Sequence, residues 1–148
     1  MKIFLLFLLL TNSISQAYAQ EEPKYYNSEE HLNRNPPYSE AVRLGNTLYV
    51  SGQVGLTDDG NIVEGGIVEE TRLSLNRIKR ILEKYGSSMD KVVKCTCILS
   101  DINDFQKMSD TYRTFFPKNK LPARTTFAGQ VALGGKIEID CIAKSDAN

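Results

Sequence analysis

From Ile67 to Tyr85 the apolar residues recur with a helical period. Thr71, Leu75, Ile78, Leu82 and Tyr85 fall at alternating four- and three-residue steps, which places them on one stripe of an α-helix. Gly86 follows where a C-cap glycine belongs. Arg72, Arg77, Lys79, Arg80 and Glu83 lie off the stripe and read as a solvated face. A helix with a single apolar stripe needs another layer to cover it, and the flanking segments supply strands. Ala41-Val42 with Leu44, then Leu48-Tyr49-Val50, are strand-like, and Gly45-Asn46 between them reads as a tight hairpin turn. "DKVVKCTCILSD" is a strand of mixed pattern. Phe105, Met108, Tyr112 and Phe115 mark a second helical face that Pro117 ends, and Asn103 with Gln106 has the spacing of a capping box. The last strands are "ARTTFAGQVAL" and "KIEIDCIAKS". The order β-β-α-β-α-β predicts an α+β domain with two helices on one face of a mixed sheet. With no further helix for the other face, another copy of the chain is the expected cover.

The 148 residues suggest one domain, and its beginning is set apart. Lys2, the apolar run Ile3–Leu10 and Ala17-Tyr18-Ala19 have the pattern of a secretory signal cleaved after residue 19. The run of eight is too short for a membrane span, which takes ~20 residues. Residues 1–19 are thus read as a cleaved signal, 20–37 ("QEEPKYYNSEEHLNRNPP") as a polar leader draped over the domain, and 38–148 as the domain itself. The expected location is exported, periplasmic or secreted, without membrane attachment after cleavage. Lys and Arg number 18, as do Asp and Glu, so loss of Lys2 leaves the mature chain at −1. A near-neutral chain without a basic run gives no electrostatic ground for nucleic acid as a partner.

Cys95, Cys97 and Cys141 are odd in number. Free buried thiols are the expectation, with a Cys97–Cys141 or Cys95–Cys141 bridge between neighbouring strands as the alternative. A metal site is not expected, because the single histidine, His31, stands in the leader.

Arg124 is the one charge in "LPARTTFAG". A half-buried guanidinium is costly unless an anion meets it, and that anion is either a structural carboxylate or a ligand. Glu138 stands near the start of the final strand. Tyr38, Ser51 and Arg124 complete a polar set with it, and the meeting of Arg124 with Glu138 could require a second subunit.

The strings "PYSEAVRLGNTLYVSGQVGL", "ETRLSLNRIKRILEKYGSS", "DKVVKCTCILSDINDF", "YRTFF", "PARTT" and "KIEID" occur in that order. Together they resemble the RidA (YjgF) family of enamine/imine deaminases across nearly all of residues 36–144. The resemblance implies a chorismate mutase-like fold, a homotrimer with sites between subunits, and no cofactor. It implies that Arg124 of the "PAR" motif binds a substrate carboxylate and that Glu138 of "IEID" positions water. Tyr38, Ser51 of "SGQ", Asn103 of "NDF" and Thr126, two residues after the arginine, would line the pocket. The family's usual Gly-Pro before the tyrosine is Pro36-Pro37 here, and "FAGQVALGG" departs from the usual run before the last strand.

Elementary chemistry agrees with that set. A 2-imino acid carries a carboxylate beside an electrophilic C=N carbon. Arginine grips the carboxylate bidentately, and a carboxylate base can activate water for attack. The expected activity is hydrolysis of small 2-imino acids, such as 2-iminopropanoate and 2-iminobutanoate, to 2-keto acids. The alternatives are a non-catalytic binder of small carboxylates, using Arg124 but not Glu138, and a protein-interaction or holdase-like role.

Overall fold

A computed structural model describes residues 21–146. The expected signal peptide and its cleavage site lie outside these residues. Among the described residues nine main elements follow one another: β1 (Lys24–Tyr26), α1 (Glu29–Asn33), β2 (Ala41–Leu44), β3 (Thr47–Val54), α2 (Ile67–Lys84), β4 (Val92–Leu99), α3 (Phe105–Tyr112), β5 (Ala123–Ala128) and β6 (Ile137–Lys144). The six strands form one sheet in the order β1-β2-β3-β6-β4-β5. Every neighbouring pair is antiparallel except β4–β5. The last strand thus slots between β3 and β4, and the sheet is mixed, as expected.

Alternation along the strands separates the two faces. On β6, Ile137, Ile139, Cys141 and Ala143 are buried, whereas Glu138, Asp140 and Ile142 are only half-buried. The buried set packs with Val92, Cys95, Cys97 and Leu99 of β4 and with Leu75, Ile78 and Leu82 of α2. On the other face Val42, Tyr49, Ile98 and Phe127 stay half to largely exposed, Tyr49 at 44% and Phe127 at 47%. This is the face for which a second copy was expected.

Local signals explain most boundaries. Leu44 pairs with Thr47 around Gly45, whose φ of 56° suits a residue without a side chain. Tyr85 caps α2 and Gly86 follows at φ 81°. Glu70, on the flank of the stripe, is 2% exposed. Its Oε2 accepts the Lys136 N–H at 2.6 Å, which ties α2 to the turn entering β6.

Three expectations need correction. Within the leader, the described residues 21–37 carry a strand and a short helix that the sequence reading did not contain. β1 pairs with β2, Tyr26 stacks on Tyr85 at 4.6 Å, and the Ser28 hydroxyl donates to Glu40 at 3.0 Å. Two tyrosines in a polar stretch gave it an edge-strand's face and a docking ring. Next, the capping box does not form. Asp101 accepts the Asn103 N–H at 2.9 Å in a preceding 3₁₀ turn, and Gln106 donates to Asp110 instead. Finally, only Cys97 is a free thiol. Cys95 and Cys141 are direct partners across β4–β6, their Cα atoms 4.2 Å apart, and they form a disulfide. Directly opposed residues on one face of an antiparallel pair bring their Cβ atoms close.

Candidate active site

Two clefts hold three of the residues singled out above, Arg124 in one and Tyr38 with Glu138 in the other, and Arg124 and Glu138 rise from opposite faces of the sheet. On β5, Arg124 pairs with Cys95 and so rises on the helix-covered face. There α3 meets it. Its Nη2 donates to Ser109 Oγ at 3.0 Å, and Met108 Sδ lies 3.7 Å from Nη1. Its guanidinium carbon sits over the rings of Tyr112 at 4.8 Å and Phe105 at 5.3 Å. Cation–π contacts offset only part of the cost of a half-buried cation, about 0.5–2 kcal/mol each. Among the described residues no carboxylate pairs with Arg124. Beside it opens a cleft of about 710 Å³ lined by Phe105, Ser109, Tyr112, Arg113, Leu121 and Arg124.

The groups behind Arg124 stay protonated. Burial pushes the Cys97 thiol up to about 11, so it is not a nucleophile at neutral pH. Burial likewise raises the Tyr112 phenol above its usual range, and its hydroxyl has no hydrogen-bond partner among the described residues. Thr126 is half-buried on the same side of β5, its hydroxyl also unpartnered among the described residues.

Glu138 points the other way. It pairs with Ile98 on β4 and with Val54 on β3, on the open face. The neighbouring Gly52 explains the "SGQ" string: a Cβ there would lie 2.0 Å from Glu138 Oε1. β3 bulges between Val50 and Gln53 at this point. The Ser51 hydroxyl donates to the Ser39 carbonyl at 2.7 Å, fixing the loop that carries Tyr38. Tyr38 is 57% exposed, and its carbonyl lies 2.8 Å from His31 Nε2. Glu138, Gly52, Tyr38, His31, Arg77 and Leu133 are among the residues lining a cleft of about 430 Å³.

The structure therefore brings Glu138 and Tyr38 together, with Ser51 behind them as a loop anchor. Arg124 stands apart with Thr126 on its strand. Asn103 joins neither group: it is exposed in the 3₁₀ turn and lines neither cleft. Ser109, one turn into α3, makes the contact with Arg124 instead. Sequence reasoning missed it because a serine between Met108 and Asp110 carries no signal of its own. Arg77 belongs to the charged face that the sequence assigns to solvent, yet its side chain is 11% exposed. It falls one residue before Ile78, so it flanks the buried stripe.

Residues 29–145 match the model of the family described as endoribonuclease L-PSP. Protein mmf2, mitochondrial, from Schizosaccharomyces pombe is 45% identical over 111 residues, covering 72% of this chain and 86% of that protein. The mouse 2-iminobutanoate/2-iminopropanoate deaminase is 43% identical over 111 residues, covering 72% and 80%. Among solved structures, the YjgF gene product of Escherichia coli superposes with a TM-score of 0.67 at 32% identity, over 73% of this chain and 87% of that one.

Proposed function

Because the chain belongs to the RidA (YjgF) family, whose model bears the description endoribonuclease L-PSP, we propose that it hydrolyses small 2-imino acids to 2-keto acids and ammonia. The observation that carries this reading is Arg124: a half-buried cation without a carboxylate partner among the described residues, beside a cleft large enough for a small ligand. A 2-imino acid supplies the missing anion. The relatives named deaminases favour the same chemistry. The chain's near-neutral charge favours it over the nuclease in the family description.

Arg124 holds the substrate carboxylate and so fixes the imine carbon. Glu138 orients a water molecule and takes a proton from it as its oxygen adds to that carbon. The C=N electron pair moves to nitrogen, which takes up the proton that Glu138 removed from the water. In the resulting carbinolamine the hydroxyl proton passes to the amino nitrogen, the C–N bond breaks with its electrons going to nitrogen as the carbonyl forms, and ammonia leaves. Little more than positioning is required, because imines are already electrophilic.

Arg124 and Glu138 occupy opposite faces of one sheet, so we propose that the site is completed between copies of a homotrimer. The half-exposed face bearing Tyr49 and Phe127 supports such packing. Imine generated in situ by an amino-acid oxidase tests the activity. Wild type should speed 2-iminopropanoate loss, Arg124→Ala should abolish the effect and Glu138→Ala should lower turnover. Unchanged imine decay with wild type contradicts the proposal and favours a carboxylate binder. We also propose export, supported by the N-terminal pattern and by a disulfide, which persists in oxidising compartments. Mass spectrometry of protein from the source cell should then show Gln20 as the first residue; a chain that keeps Met1 contradicts it.

A further inference from the structure

Arg77 is a second guanidinium without an adequate counter-charge, and it lines the cleft that contains Glu138. It projects from α2, where its Nε donates to Gln53 Oε1 at 3.1 Å and its Nη1 to the Leu56 carbonyl at 3.3 Å. Both acceptors are neutral: they orient the fork without balancing its charge. The nearest carboxylate oxygen to Nη2 is Glu30 Oε1 at 3.8 Å, beyond hydrogen-bond reach. That oxygen is already bonded to Arg34 Nη2. Glu40, also in the cleft wall, is occupied as well, accepting from Ser28 N–H, Ser28 Oγ and the Tyr85 hydroxyl. Burial, followed by repulsion from Arg34, pushes the Arg77 guanidinium below its usual range. A neutral side chain could make the Gln53 and Leu56 contacts without burying a charge, so a purely structural role leaves the cation unexplained.

Resting on the deaminase reading, we propose that Arg77 forms a second anion subsite and that the preferred substrates are 2-imino dicarboxylates. The α-carboxylate goes to Arg124 of a neighbouring copy, the imine carbon to the water held by Glu138, and the distal carboxylate to Nη2 of Arg77. A planar carboxylate suits this fork, since only one edge of the guanidinium is left to offer. Glu138 itself cannot serve as the counter-ion while it acts on water, so the second negative charge has to arrive with the ligand.

The test compares two keto acids, the products of the corresponding imines, by calorimetric titration of the assembled protein at low salt. Wild type should bind 2-oxoglutarate at least about tenfold more tightly than 2-oxobutanoate, the gain expected of a hydrogen bond between charged groups. Arg77→Gln should lose that factor for 2-oxoglutarate and keep 2-oxobutanoate affinity within about twofold. Equal wild-type affinities, or an Arg77→Gln variant that weakens both ligands alike, overturn the subsite. The wild-type comparison stands even if the variant does not fold. Imine assays separate the two readings. Turnover of 2-iminobutanoate with no preference for 2-iminoglutarate removes the dicarboxylate specificity and leaves the deaminase. Arg77-dependent 2-oxoglutarate binding without turnover of either imine supports the subsite and removes the deaminase.

Discussion

Gly52 is the position where one methyl group tests the geometry around Glu138. In Gly52→Ala the new Cβ would lie 2.0 Å from Glu138 Oε1, 2.9 Å from Cδ and 3.1 Å from Cγ. Three successive atoms are too close, so tilting the carboxylate tip does not relieve the contact; the side chain must change rotamer. That moves the carboxylate by more than about 1 Å, a displacement that costs on the order of 100-fold in rate, or about 2.7 kcal/mol. Stability should change far less. An imperfect rotamer costs about 0.5–1.5 kcal/mol, while replacing glycine with alanine recovers about 0.4–1 kcal/mol from the unfolded chain. The expected result is a roughly 100-fold fall in kcat/KM with Tm within a few degrees of wild type. Gly129→Ala is the control, because its Cβ would meet its nearest neighbour at an ordinary 3.5 Å. Steady-state imine loss and a thermal melt read both quantities. A Gly52→Ala enzyme with wild-type turnover refutes the role given to Glu138, and so does activity lost only through unfolding.

Two further perturbations probe the core behind the Arg124 cleft. Cys95 and Cys141 are 46 residues apart, and closing a loop of that length stabilises by about 4 kcal/mol in the chain-entropy model. Cys95→Ala/Cys141→Ala should therefore lower the unfolding free energy by that order in a urea titration; an unchanged midpoint contradicts a formed bridge. Cys97, raised to about 11, binds its proton more tightly folded than unfolded. The stability it contributes is fully present below pH 9 and is lost as the pH rises through about 11. Cys97→Ala should flatten the alkaline loss of stability, and native Cys97 should resist thiol reagents at pH 8. Rapid labelling of the folded protein contradicts its burial.

The fold was legible in the sequence wherever periodicity was strong. The α2 stripe and the alternation of β6 each carry a repeated signal, the Gly45-Asn46 turn a pair of turn-forming residues between two strands, and each element lies where its signal puts it. β1 was not legible: three residues, Lys24–Tyr26, have too short a pattern to stand out from a polar segment, and their pairing depends on β2. The disulfide depended on register. Cys95 and Cys97 share a face, and only the β4–β6 pairing shows which of them opposes Cys141. The same limit applies to the site. Arg124 and Glu138 could be picked out as charges in strands, but the opposite faces they occupy follow from register. Ser109 and Arg77 lacked any local mark, because a single serine or arginine on a helix becomes distinctive only through what packs against it.

The most direct test of a site shared between protomers is complementation between Arg124→Ala and Glu138→Ala. Each variant alone should be impaired, Arg124→Ala fully. Co-expressed in equal amounts and assembled at random in closed rings, they should place an intact Arg124 opposite an intact Glu138 at about a quarter of the interfaces. The account predicts recovery of about a quarter of wild-type imine hydrolysis in the mixed assemblies. Activity no higher than the average of the two separate variants would mean that Arg124 and Glu138 do not act together across a subunit boundary.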